Sequence, residues 1–354
     1  ILDFQGKRRR DTMKMTQMEK KQLMIFIFVA YGLTYALGLV MWAFYGTGAD
    51  LGVFPNAQMM YPAAGVMLAY LITKKGDKKL PRALFVFFVL LTAVMALCAL
   101  LSVFMPKTMQ SGETEISAWL MCVQVVLILG SIIFWILLLA SGKEKRAAYG
   151  LKGKNWKTSL LCILLFFVLY SVKMGIASAA GGQLGAFGKI WADPAAWLYL
   201  VSLFIYFFLV AVGFFGEEYG WRYYLQPIMQ RRFGLRGGVL LLGVVWGLWH
   251  LPVDFFYYTT PDMGLIACVS QQITCIFIGI FLAYVYMKTE NIWVPVAVHF
   301  LNNNLIPMFA GDYSANILQG QAIRWGDLVP ALILNLVIFG WFFFLKPFRE
   351  NSTR

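Results

Sequence analysis

The chain has 354 residues, of which 60% are hydrophobic and only 13% charged, with a mean hydropathy of +0.69. This composition excludes a water-soluble globule and describes a polytopic membrane protein. The net charge of +13 is explained by where the basic residues fall along the chain, with attraction to anionic lipid as a by-product, so nucleic-acid binding is not expected.

Windows of about 20 apolar residues, long enough to cross a bilayer, repeat almost end to end. They predict ten helices over 22–45, 57–73, 83–105, 117–141, 158–180, 196–216, 237–256, 264–287, 292–309 and 327–345. The ninth contains Asn302, Asn303 and Asn304 and is retained because removing it breaks the alternation of charge between loops. Counted over alternate loops and both tails, 26 of the 30 Lys and Arg lie on one side, with only Lys107, Lys189 and Arg324 opposite. The fold class expected is therefore an all-α membrane helix bundle with both termini cytoplasmic.

The expected organisation is a basic tail (1–21), an N-terminal four-helix membrane region (22–157), a C-terminal membrane core (158–346) and a short cytoplasmic tail (347–354). Residues before Met13, including the run Lys7 to Arg10, have no apolar period and are read as an appended or processed remnant outside the fold. The five cysteines, Cys98, Cys122, Cys162, Cys268 and Cys275, all fall inside predicted spans and match no disulfide, zinc or haem pattern; they read as small apolar fillers. No internal repeat marks an inverted-repeat transporter.

Ionisable residues in hydrocarbon are costly, and such residues mark functional sites. The first four spans carry almost none. The C-terminal half carries Glu217, Glu218, His250, Asp254 and His299, which include both histidines of the chain. Lys173 lies at about the depth of Asp254 and is expected to pair with it.

Three motifs hold the reactive groups. In Gly216-Glu217-Glu218-Tyr219-Gly220-Trp221-Arg222, adjacent helical residues point about 100° apart, so the two carboxylates have different roles. Glu218 precedes Arg222 by four, the favoured order for a helical ion pair, which leaves Glu217 free. In Trp246-Gly247-Leu248-Trp249-His250, Trp246 lies one turn before His250, and Gly243 and Gly247 permit a close helix contact. In His299-Phe300-Leu301-Asn302-Asn303, His299 and Asn303 share a helix face and both can donate hydrogen bonds to a developing oxyanion. The plainer readings are a solvated helix end, a packing histidine and an Asn-rich cap.

Glu-Glu-x-x-x-Arg, aromatic-x-x-x-His and His-x-x-x-Asn in this order resemble the CPBP (Abi) family, which covers type II CAAX prenyl endopeptidases and bacterial proteases linked to bacteriocin processing or self-immunity. The resemblance spans roughly Ala196 to Asn304. It departs at Trp246, where the family usually has Phe, and leaves the first four spans uncovered.

The resemblance implies an intramembrane endopeptidase of a multi-pass protein, expected in a bacterial plasma membrane. Glu217 and His250 would activate water, while His299 and Asn303 would steady the oxyanion, with Glu218, Arg222 and Trp246 in support. The substrate would be a membrane-embedded or lipidated peptide or protein, either a CAAX-type prenylated protein or a pheromone or bacteriocin precursor.

No cofactor is expected to be required. Zinc held by Glu217, His250 and His299 is the alternative, because three ligands with one open position suit a catalytic metal. Two further classes stay open: a catalytically silent scaffold or immunity protein, and a two-histidine haem protein or proton-coupled transporter. Helix counting places Glu217 at the cytoplasmic edge and His250 roughly 20 Å deeper. Continuation of the sixth helix past Glu217 towards Pro227 would align them, with access to the site expected from the cytoplasm.

Overall fold

The computed structural model describes residues 15–111, 114–313 and 318–349; Lys7 to Arg10, the residues before Met13 and 350–354 lie outside the described residues. The chain forms a polytopic helix bundle. Among the described residues, six helices are long and apolar enough to cross a membrane: α1 (Gln17–Phe44), α3 (Arg82–Phe104), α4 (Ala118–Ala140), α5 (Trp156–Ala180), the continuous stretch Pro194–Trp249, and Pro261–Thr289. Their outer faces carry bare apolar side chains such as Phe28, Leu198 and Phe204, each more than 70% exposed. A surface this apolar is covered by lipid.

Pro194–Trp249 supplies two of the predicted spans. Helix α6 (Pro194–Glu218) runs on through a π-helical turn, Tyr219–Leu225, into α7 (Gln226–Trp249). Gly234 breaks α7 with φ of +79°, a conformation that suits a residue without Cβ. The chain reverses there: Trp246 Nε1 donates to Glu217 Oε2 at 2.8 Å, whereas 29 residues of straight helix would hold them about 40 Å apart. Continuation of the sixth helix past Glu217 is thus observed.

Three predicted spans are shorter than a bilayer requires. Helix α2 (Tyr61–Thr73) has 13 residues, about 20 Å at 1.5 Å each. Nine of these are buried, so α2 fills the bundle centre and leaves the lipid to its neighbours. A short helix, Val53–Gln58, dips into the bundle before it. Helix α8 (Gly264–Thr289) is followed by α9 (Trp293–Asn304), which has only 12 residues, and α10 (Trp325–Ile338) has 14 and contains Pro330. A small hairpin, β1 (Thr108–Ser111) and β2 (Thr114–Ser117), interrupts the otherwise helical chain between α3 and α4.

Close helix approach is paid for with glycine. A Cβ on Gly216 of α6 would sit 2.5 Å from the Met59 carbonyl oxygen, and one on Gly243 of α7 would sit 2.8 Å from Ile276 Cα in α8. The second contact is the small-residue seam expected from Gly243 and Gly247. Helices of the N-terminal half and the C-terminal half share one apolar core, with Phe26, Phe85 and Phe134 in the same cluster as Phe215 and Phe281.

All five cysteines are free. Two expectations are corrected. Lys173 Nζ donates to Asn335 Oδ1 at 3.1 Å, and Asp254 forms no ion pair among the described residues. Depth counting assumed a straight seventh helix, but α7 stops at Trp249, and Asp254 starts a separate π-helical turn, Asp254–Tyr258. Arg222, counted above among the cytoplasmic basic residues, is fully buried because the sixth helix does not end where its apolar run ends.

Candidate active site

The α6–α7 reversal, the end of α7 and helix α9 bring the three motifs together. Glu217, Glu218, Arg222, His250 and His299 are all buried, with at most 6% exposure. Burial of this many ionisable groups requires mutual compensation. Glu218 supplies most of it: Oε2 accepts from Arg222 Nε at 2.9 Å and Oε1 meets His299 Nδ1 at 2.9 Å. The Arg222 guanidinium also lies 4.9 Å from the centre of the Trp246 ring, a cation–π distance. Glu218 and Arg222 thus form the i,i+4 pair read from spacing, with a further link to His299 that spacing could not reveal.

Glu217 is left with one engaged oxygen, Oε2, which accepts from Trp246 Nε1. A Phe at that position could not donate this bond. Trp246 also meets the His299 ring edge-on at 5.5 Å, so one indole touches the acid, the cation and an imidazole.

His250 lies at the end of α7, two residues before Pro252, and not within a continuous seventh span. Its Nδ1 lies 2.9 Å from the Trp246 carbonyl. A carbonyl only accepts, so Nδ1 carries the proton and Nε2 keeps its lone pair. In α9, Asn302 Nδ2 donates to Asn303 Oδ1 at 2.9 Å, which leaves the Asn303 amide nitrogen free to donate elsewhere.

The end of α7 is fixed from the N-terminal half, a role that no local motif signalled. Trp249 Nε1 donates to Ala30 O, Gln58 Nε2 to Trp249 O, Tyr31 Oη to Val245 O and Tyr35 Oη to Leu248 O. Helix α1 and the segment before α2 therefore hold the backbone that carries Trp246 and His250.

Glu217, His250, His299, Trp246 and Asn303 line one cavity of about 610 Å³. Among the described residues, no three His, Cys, Asp or Glu side chains are grouped so that they could hold a metal ion. Glu217, His250 and His299, the three residues of the zinc alternative, line this same cavity.

Access from the cytoplasm is also corrected. Away from Glu217, the cavity walls come from Asn56, Gln124, Tyr257, Ser270 and Gln321, which lie in the connections opposite the basic loops or in the first two turns of the helices that follow them. The reason is that Val53–Gln58 dips inward and α9 stops at Asn304, so an apolar count could not show a funnel on that side. In a background lacking the five cysteines, a cysteine placed at Asn56 is expected to react with a membrane-impermeant maleimide added on the side opposite the termini. Labelling from the side of the termini alone would contradict this orientation.

Comparison with known proteins finds similarity over the segment that carries the three motifs. Residues 196–305 match the family described as type II CAAX prenyl endopeptidase Rce1-like. A CAAX prenyl protease 2 of Methanococcus maripaludis is 26% identical over 160 residues, covering 44% of this chain. The match spans 58% of that relative's length, little more than half. No solved structure matches. The chain is thus similar to the Rce1-like family over residues 196–305, the segment that carries the three motifs.

Proposed function

We propose that this protein is an intramembrane endopeptidase that hydrolyses a peptide bond with a water activated by Glu217. The observation that carries the reading is the division of labour between adjacent carboxylates: Glu218 is consumed by Arg222 and His299, while Glu217 faces the cavity with one oxygen uncommitted. A buried carboxylate without a cationic partner suits a base better than a structural strut.

In this reading, Glu217 Oε1 takes a proton from a water that His250 Nε2 helps to hold. The water oxygen attacks the carbonyl carbon and the carbonyl oxygen becomes an oxyanion. With Glu217 and Glu218 ionised and Arg222 cationic, an imidazolium at His299 brings the cluster to zero net charge and presents Nε2–H to that oxyanion. The Asn303 amide supplies a second donor. Collapse of the tetrahedral species breaks the C–N bond, Glu217 passes its proton to the leaving nitrogen, and the products are a carboxylic acid and an amine. Trp246 aims the Glu217 carboxylate, and Glu218 and Arg222 orient His299.

The substrate is a membrane-held or lipidated peptide or protein. The relative's name points to prenylated proteins, whereas a cavity walled on the side away from the basic loops supports a peptide precursor delivered from that face. Peptide hydrolysis by the purified protein is expected to survive exhaustive chelation in metal-free buffer. Loss of turnover on stripping, restored by stoichiometric zinc, would overturn the metal-free mechanism.

A further inference from the structure

We infer that Lys173 binds a carboxylate of the substrate and thereby determines which peptides are cut. This inference rests on the hydrolase reading and extends it to a residue on α5, outside the segment 196–305 that matches the family.

The cavity contains one Lys or Arg, Lys173, and one Asp or Glu, Glu217. Lys173 forms no ion pair among the described residues. Its Nζ donates one hydrogen bond, to Asn335 Oδ1 at 3.1 Å, and Asn335 Nδ2 is itself anchored on Ala331 O at 2.8 Å. An ammonium has three donors, so two are not taken up by Asn335. The aromatic rings of Tyr170 and Phe339 lie 5.8 and 5.9 Å from Nζ and add only a weak attraction.

A cation at this depth is costly without an anionic partner. Asp254, the one other acid buried in this half of the bundle outside the catalytic cluster, is not that partner. The remaining source of negative charge is what the cavity binds.

Lys173 also lies at a defined place along the cavity. Tyr170, one turn before it, packs its ring 5.8 Å from that of Phe309, which follows the end of α9. Lys173 thus lines the cavity on α5, near the segment that follows α9, and shares it with His299 and Asn303. A peptide whose carbonyl lies between His299 and Asn303 would extend its next residues towards the ammonium. A free C-terminus and an acidic side chain have the same chemistry there, and they can be separated experimentally.

The test uses three S-farnesylated peptides identical up to the last residue, ending in a free acid, in a carboxamide, or in a carboxamide with Asp as the last residue. Binding is measured on the Glu217→Gln protein in nanodiscs and kcat/KM on the otherwise native protein. A charge-assisted hydrogen bond predicts that one of the two acidic peptides binds about ten- to hundredfold tighter than the neutral carboxamide. Preference for the free acid identifies a terminal carboxylate, and preference for the Asp peptide identifies a side-chain carboxylate.

Lys173→Gln should abolish the preference and act mainly on KM, while Lys173→Arg should retain it, with both variants melting near the parent. If Lys173 only tethers α5 to α10, Lys173→Gln lowers the melting temperature and leaves the preference intact. That result, or equal affinity for all three peptides, overturns the assignment. Acid-selective binding with no cleavage by the native protein would instead retain Lys173 as a carboxylate site and remove the hydrolase reading.

Discussion

Glu217→Gln is expected to lower peptide-bond hydrolysis by about 10²–10⁴-fold, the usual contribution of a positioned general base. Glutamine keeps the volume of the side chain, and its amide oxygen can still accept from Trp246 Nε1, so the site should retain its shape. The substitution leaves the Glu218–Arg222 and Glu218–His299 contacts in place, so the variant should melt close to the parent. Turnover in proteoliposomes and a melting curve in the same detergent check both parts. Wild-type turnover in the variant would show that Glu217 is not the base.

The second large effect is on stability. Arg222→Met removes the cation paired with Glu218 and fills its space with a flexible apolar chain. Glu218 is then held by His299 alone, in a position with no exposure. Breaking one side of a buried pair costs about 3–5 kcal/mol, most of it from the charge left behind. The variant is expected to melt well below the parent and to lose activity, because His299 loses its fixed acceptor geometry. Adding Glu218→Gln to Arg222→Met should recover part of the lost stability, since no uncompensated carboxylate then remains. An unchanged melting temperature for Arg222→Met would mean that the pair does not support the fold.

The difference between these two acids was partly legible in the sequence. Glu218 and Arg222 are four apart, and local helical spacing is enough to predict their bond. Gly243 and Gly247 announced a close helix contact in the same way, though not that α8 makes it. The bond from Trp246 to Glu217 was not legible, because it spans a reversal at Gly234 that sits inside an otherwise helical pattern. The Glu218–His299 contact crosses 81 residues and depends on α9 stopping short of a full crossing.

Depth was the least legible property. Apolar runs locate helices but not where they tilt, dip or end, and three errors share this cause. Arg222 was taken for a loop residue, Lys173 was matched with Asp254, and the cavity was turned towards the cytoplasm. Each assumed that a span begins and ends at the membrane surface. The bundle instead places the start of α2 and the ends of α7 and α9 within it, and the polar groups gather at those interior ends. There, backbone carbonyls and side-chain donors such as those of Trp249, Gln58 and Tyr31 satisfy one another, which allows broken helices to exist at membrane depth.

The division of the two acids also separates this reading from a silent scaffold. A scaffold needs the Glu218–Arg222–His299 cluster for its fold but has no use for a second buried carboxylate facing a cavity. The most direct measurement is a comparison of the membrane and secreted peptides of cells carrying the wild type with those carrying Glu217→Gln at equal protein levels. The hydrolase account predicts at least one peptide pair, divided at a single bond, that is present with the wild type and replaced by its uncut precursor with the variant. Identical peptide profiles from the two strains would contradict it.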